Sequence, residues 1–168
     1  MKNFVSIIIP VFNSKKFILQ TLESIENQTY KNYEIIIVDD CSTDGSYELI
    51  EKLKIKNKKI RLYKTKKNSG TVAAPRNLGI KKAKGNIVCF NDSDDIWKKD
   101  KLEIQISKIK NRKTVISTAA DYFSKESRSS LIMNYLRRLI QFYIFKKINK
   151  KGSQWIYLYN PIIVSSVL

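Results

Sequence analysis

Histidine is absent from this chain of 168 residues. That removes histidine triads, histidine general bases and most zinc or non-haem iron sites. Cysteine is nearly absent too: Cys41 and Cys89 stand alone, with no CxxC spacing. Cys89 lies in an apolar run and reads as a small core residue. Such usage fits a reducing cytosol. No apolar run is long enough to span a bilayer, and Met1-Lys2-Asn3-Phe4 leads straight into a strand rather than a signal peptide. A cytoplasmic location is expected, with a peripheral seat at the inner face of the plasma membrane as an option. Two nucleotide fingerprints are also missing. The first strand is not followed by G-x-G-x-x-G, and no G-x-x-x-x-G-K-[ST] occurs, which argues against a dinucleotide-binding Rossmann protein and a P-loop NTPase. Acids are scarce: 15 Asp and Glu face 32 Lys and Arg, for a formal net charge of +17. So large an excess suits a phosphorylated ligand, a membrane surface or nucleic acid. A coding bias toward Lys, Ile and Asn accounts for it equally well. Nucleic acid is not expected as the partner.

The remaining composition is that of a globular domain with a real core. Val5–Ile9 is a nearly continuous β-branched run closed by Pro10, as in a buried parallel strand. Phe17, Ile18, Leu22 and Ile25 share a face between about Lys16 and Asn27, predicting a helix. Tyr33–Val38 is a second strand, running into the polar turn Asp39–Gly45. Ser42 or Thr43 is expected to cap the next helix, whose apolar face is Tyr47, Leu49, Ile50 and Leu53. Ile60–Tyr63 is a third strand. Thr71–Ala83 reads as helix, provided Pro75 falls in its first turn. Ile87–Phe90 is a fourth strand, Ile96–Lys110 a helix and Thr114–Ala119 a fifth strand. Strands alternating with helices predict an α/β fold with a mainly parallel sheet flanked by helices. After Glu126 there is no Asp or Glu. Leu131–Lys151 mixes aromatic and basic residues, which suits either an anionic bilayer surface or packing against the sheet. Trp155–Tyr159 and Pro161–Val167 read as strand or buried loop. The expected division is 1–126 and 127–168.

Asn91-Asp92-Ser93-Asp94-Asp95 directly follows the fourth strand. Ligands of open α/β sheets bind at the carboxyl ends of the strands. Clustered carboxylates repel one another, and a hard divalent cation bridging to phosphate is a natural countercharge. A solvated acidic turn capping the next helix is the plainer alternative. Pro10–Asn13 and Asp39–Asp44 reach the same edge. There Phe12 can stack on a base, Asp40 can accept a base N–H, Arg76 can neutralise phosphate and Asp94 can hold a metal.

Val5–Asn13 (VSIIIPVFN), Gln28–Tyr30, Tyr33–Gly45 (YEIIIVDDCSTDG), Asn68–Gly79 (NSGTVAAPRNLG) and Ala83–Trp97 (AKGNIVCFNDSDDIW) together resemble the nucleotide-sugar-binding half of family 2 glycosyltransferases, of the GT-A fold. The resemblance implies an inverting transferase that uses a UDP-sugar or similar donor with Mg²⁺ or Mn²⁺. It implies a saccharide or lipid-linked acceptor, in cell-surface polysaccharide synthesis. Carried over by position, Pro10, Phe12, Asn13 and Asp40 line the nucleoside and Arg76 sits by the diphosphate. Asp92 contacts ribose or sugar, Ser93 belongs to the nucleotide-binding set, and Asp94 is the metal ligand of a DXD motif, supported by Asp95. Asn160–Val167 resembles a segment near the acceptor site of polymer-forming members. Residues 1–126 would then be the donor domain and 127–168 the start of an acceptor side.

The chain departs from the family pattern in four places. Phe12 replaces the commoner Tyr, Pro75 precedes Arg76 where a small residue is usual, and Asn91 replaces an apolar residue. The family's catalytic base is an acid after the Ser-Ser segment, and no residue here matches it. Asp121 is the nearest unassigned acid. A shortened transferase, a non-catalytic nucleotide- or membrane-binding remnant, and an aspartyl-nucleophile phosphatase using Asp92 and Asp94 are the readings this leaves.

Overall fold

The computed structural model describes residues 3–109, 116–117 and 157–159. Three apolar runs form the centre of a sheet: β1 (Val5–Val11), β2 (Tyr33–Asp39) and β4 (Ile87–Phe90). β3 (Ile60–Lys64) lies outside β2. Two short strands, β5 (Ile116–Ser117) and β6 (Tyr157–Tyr159), extend the other side, giving the order β3-β2-β1-β4-β6-β5. Every pairing is parallel. Strands buried on both faces lose the polar alternation of a half-exposed strand, and all seven positions of β1 and of β2 are buried.

The helices are α1 (Ile18–Glu26), α2 (Ser46–Lys56), α3 (Ala73–Lys82) and α4 (Lys101–Ser107). The period of two along a strand sorts the core into two layers. Val5, Ile7, Ile9 and Val11 face Ile18, Leu22 and Ile25 of α1, Ile50 of α2 and Leu102 of α4. Ile8, Ile36, Val38 and Phe90 face Leu78 and Ile80 of α3. Phe17, expected on the buried face of α1, precedes the helix and is exposed.

Some boundaries differ from those predicted, for identifiable reasons. β1 continues through Pro10 to Val11. The Asn91 N–H donates to the Ile8 carbonyl, so even-numbered β1 residues face β4. Pro10 lies beyond the last β1–β4 pair, Ile8 with Phe90, where its missing N–H costs no ladder bond. α4 begins at Lys101 rather than Ile96. Ahead of it the Trp97 N–H donates to Ser24 Oγ, the Lys98 carbonyl accepts from Gln28 Nε2 and the Lys99 carbonyl accepts from the Thr29 N–H. Those backbone groups bond to α1 and its exit, which holds the segment ahead of α4 against α1. α2 begins at Ser46, and its end is held by neither Ser42 nor Thr43. The Asp44 carboxylate accepts from the Ser46 N–H at 2.9 Å and from Ser46 Oγ. Pro75 does fall in the first turn of α3. Leu131–Lys151, Asp121 and Asn160–Val167 lie outside the described residues.

Candidate functional site

The carboxyl ends of β1, β2 and β4 bring three loops together. After β1, Phe12 is half exposed and Asn13 takes a left-handed φ of 50°. Asn13 locks the first loop to the second. Its N–H donates to Ser42 Oγ at 3.0 Å, and its Oδ1 accepts from the Thr43 N–H at 2.8 Å. Ser42 and Thr43 are thus committed to β1's loop, which is why they do not cap α2.

Asp40, at the end of β2, is almost completely buried. Its Oδ1 accepts from Thr65 Oγ1 at 2.7 Å; its Oδ2 accepts from the Ser69 N–H at 3.0 Å and Ser69 Oγ at 2.7 Å. Burial by itself pushes this carboxyl up, but the bonds from Thr65 and Ser69 outweigh it and hold it below the usual carboxylate range. A carboxylate offers about four lone-pair sites; three are filled, and one on Oδ1 is left. Neighbouring Asp39 points to the other sheet face. Its Oδ2 accepts from the Ser42 N–H, while its buried Oδ1 has no protein partner among the described residues.

The third loop carries the acids. Asp92 Oδ1 lies 2.5 Å from Arg76 Nη2, a pair that is mostly buried. Arg76 comes from the first turns of α3 and lies over the Phe90 ring, 5.6 Å from its centroid. Arg76 and Asp92, expected beside phosphate and ribose respectively, therefore meet each other. The Asp95 N–H donates to the Asp92 carbonyl at 3.2 Å, closing the turn. Asp94 is exposed, yet the protein around it removes enough water to push its carboxyl up. The bond from its own N–H opposes that rise, and the charge of Asp92 adds to it. Ser93 turns the other way, toward α1: its hydroxyl lies 2.6 Å from Ser14 Oγ and its carbonyl accepts from Thr21 Oγ1 at 2.8 Å. Asn91 is fully buried, and neither end of its amide has a protein partner among the described residues. No group of three or more carboxylate or thiol side chains is close enough to hold a metal among the described residues. The site instead offers one or two carboxylates, which fits Mg²⁺-type ions that take their remaining ligands from phosphate and water. An under-compensated Asp94 is a suitable first ligand.

Sequence reasoning placed Pro10, Phe12, Asn13, Asp40, Arg76 and Asp92–Asp95 in one region, and the fold brings these residues to one sheet edge. It missed Thr65 and Ser69, which hold Asp40, and Ser14 and Thr21, which hold Ser93. Thr21, Ser24 and Gln28 are buried polar residues three and four apart in or just after α1. That spacing was the available signal.

The all-parallel central sheet flanked by helices, with its acid loop after β4, matches the GT-A fold of solved glycosyltransferases. The solved structure of TarS from S. aureus in complex with UDP superposes with a TM-score of 0.66 at 30% identity, over 74% of this chain and 38% of that one. The family model "Glycosyl transferase family 2" matches residues 6–165, and the chain belongs to that family. It is 43% identical over 122 residues to the UDP-Glc:alpha-D-GlcNAc-diphosphoundecaprenol beta-1,3-glucosyltransferase WfaP of Escherichia coli, covering 73% of this chain and 47% of WfaP. It is 40% identical over 116 residues to TuaG of Bacillus subtilis, named for teichuronic acid biosynthesis, covering 69% of this chain and 46% of TuaG. The chain thus spans less than half the length of either relative. Family membership favours the transferase reading over the aspartyl-nucleophile phosphatase. No helix among the described residues is long and apolar enough to cross a membrane.

Proposed function

We propose that this chain is the donor-binding part of an inverting glycosyltransferase that uses a UDP-sugar with Mg²⁺ or Mn²⁺. The observation that carries the reading is the meeting of Phe12, Asp40, the Arg76–Asp92 pair and Asp94 at one sheet edge in a family 2 member. The exposed Phe12 ring stacks on the base beside Pro10 and Asn13. The remaining lone pair of Asp40 accepts a base N–H. Asp92 accepts from ribose hydroxyls, and Arg76, which keeps donors beyond the Nη2 used on Asp92, lies toward the diphosphate. Asp94, supported by Asp95, holds the cation, which offsets the negative charge of the departing diphosphate. The acceptor is a saccharide or lipid-linked saccharide of cell-surface polysaccharide synthesis, in keeping with the names WfaP and TuaG. Residues 1–126 form the donor domain and 127–168 begin the acceptor side. The basic Leu131–Lys151 segment holds the protein at an anionic membrane surface.

Calorimetry with UDP, with Mn²⁺ or with EDTA, tests the donor site. Binding strengthened by metal is expected. A folded protein that binds UDP in neither condition refutes the reading.

A further inference from the structure

The turn of the acid loop carries a backbone bond from the Asp95 N–H to the Asp92 carbonyl. Arg76 of α3 holds Asp92 on one side, and α1 and its exit hold the rest of the segment on the other. Thr21 Oγ1 donates to the Ser93 carbonyl, Ser24 Oγ accepts from the Trp97 N–H, and Gln28 takes both the Lys98 carbonyl and the Leu102 N–H. Positions 21 and 24 lie on one face of α1, and Gln28 follows just after its end at the next helical spacing. They hold successive parts of the segment from Ser93 to Leu102.

Thr21 is the member nearest the carboxylates, and it is wholly buried. A threonine inside a helix usually turns its hydroxyl back to the carbonyl three or four residues earlier. Ser24 does so, donating to the Thr21 carbonyl at 2.7 Å. The Thr21 hydroxyl instead reaches 72 positions along the chain to Ser93. Ser14, also buried, adds its hydroxyl to the same residue. Ser93 lies between Asp92 and Asp94, so anchoring it on two atoms fixes where the flanking carboxylates leave the backbone. Mg²⁺-type ions demand near-ideal octahedral geometry. A ligand carboxylate on a loosely held turn would bind them poorly.

We propose that Thr21, assisted by Ser14, is a positioning residue for the cation of the donor site. It touches neither donor nor metal and acts by fixing where Asp94 leaves the turn at Ser93, while Asp92 is held separately by Arg76. The inference rests on the donor-site reading above, and the experiment separates the two.

UDP affinity is measured by calorimetry in Mn²⁺ and in EDTA for wild type, Thr21→Val, Thr21→Ser, Ser14→Ala and Thr29→Val. Thr21→Val keeps the shape of threonine and removes the hydroxyl. It should lose about five- to tenfold of the metal-dependent gain, the effect of one hydrogen bond, and leave affinity in EDTA within twofold of wild type. Thr21→Ser should restore the gain. Ser14→Ala should lose part of it, and carries the test if Thr21→Val fails to fold. Thr29 Oγ1 bonds Glu103 at the far end of the same contact, so Thr29→Val should behave as wild type. An unchanged metal gain in folded Thr21→Val and Ser14→Ala overturns the proposal, as does an equal loss in EDTA and Mn²⁺. A wild-type protein without any metal gain overturns the cation site itself.

Discussion

Gly79 sets how closely α3 approaches the sheet, and replacing it is a sharp test of how the site is built. A Cβ at this position would sit 3.3 Å from Cγ1 and 3.4 Å from Cβ of Ile8, and nearer than either to its Cγ2. Ile8 is completely buried, in one cluster with Ile36, Val38 and Phe90. It has no room to retreat. Overpacking of a filled core costs about 1–3 kcal/mol, and the approach to Cγ2 puts this case toward the upper end. Alanine in a helix returns about 1 kcal/mol relative to glycine. Gly79→Ala is therefore expected to destabilise by about 1–2 kcal/mol net. Urea unfolding followed by circular dichroism measures this. In an Ile8→Ala background, which itself costs about 2–5 kcal/mol, the obstructing Cγ2 is gone. There the same substitution should be neutral or stabilising by about 1 kcal/mol. The change should also reach the site, because Arg76 lies on the same face of α3 one turn earlier, and moving the helix off the sheet moves its guanidinium from Asp92. UDP affinity should fall even where the protein remains folded. If Gly79→Ala in the wild-type background stabilises by the full helix-propensity gain, the contact with Ile8 is not tight and the reasoning fails.

Asp94→Ala should abolish the metal-dependent part of UDP binding by calorimetry while sparing binding in EDTA; a retained metal gain makes the acids a structural turn. Protons and cation compete for the same carboxyl, and burial raises the pKa of Asp94. Mn²⁺ affinity should thus begin to fall, as pH is lowered, at a higher pH than for an ordinary carboxylate; a titration in which it falls only through the usual carboxylate range contradicts that order. Arg76→Ala and Asp92→Asn should be non-additive in urea unfolding, with a coupling of about 1–2 kcal/mol for a contacting pair, and additive losses mean that the contact contributes nothing. Liposome co-sedimentation should rise with anionic lipid and fall with salt, and equal binding to neutral vesicles refutes a surface-seeking role for Leu131–Lys151.

The strands were legible because burial on both faces leaves an unambiguous trace. Val5–Ile9, Tyr33–Val38 and Ile87–Phe90 are unbroken apolar or β-branched runs apart from Ser6 and Glu34. Those two exceptions pair with each other, Ser6 Oγ donating to Glu34 Oε1 at 2.7 Å, and Arg61 completes the group. Element ends were less legible, because they depend on partners far away in sequence. The start of α4 is decided by Ser24, Gln28 and Thr29, and the start of α2 by Asn13 drawing Ser42 and Thr43 away. The reach of β1 past Pro10 depends on where β4 turns off. A search for apolar periodicity alone also passes over a polar stripe such as Thr21, Ser24 and Gln28, although its spacing is as helical as that of Ile18, Leu22 and Ile25.

The acids of the site make the same point with charge. In sequence, Asp92, Asp94 and Asp95 look like three equivalent carboxylates awaiting one countercharge. The fold makes them unequal. Asp92 is neutralised from the α3 side by Arg76. Burial lowers the pKa of Lys101, and the charges of Cys89 and Asp95 oppose that fall. Loss of water around Asp94 pushes its carboxyl up, its own backbone N–H opposes that rise, and the charge of Asp92 adds to it. Arg76 thus offsets one flanking acid by direct contact, and Asp94 is an acid whose charged form the fold disfavours. A divalent ion brought in with a diphosphate would relieve Asp94, which is the physical reason for proposing it as the first ligand.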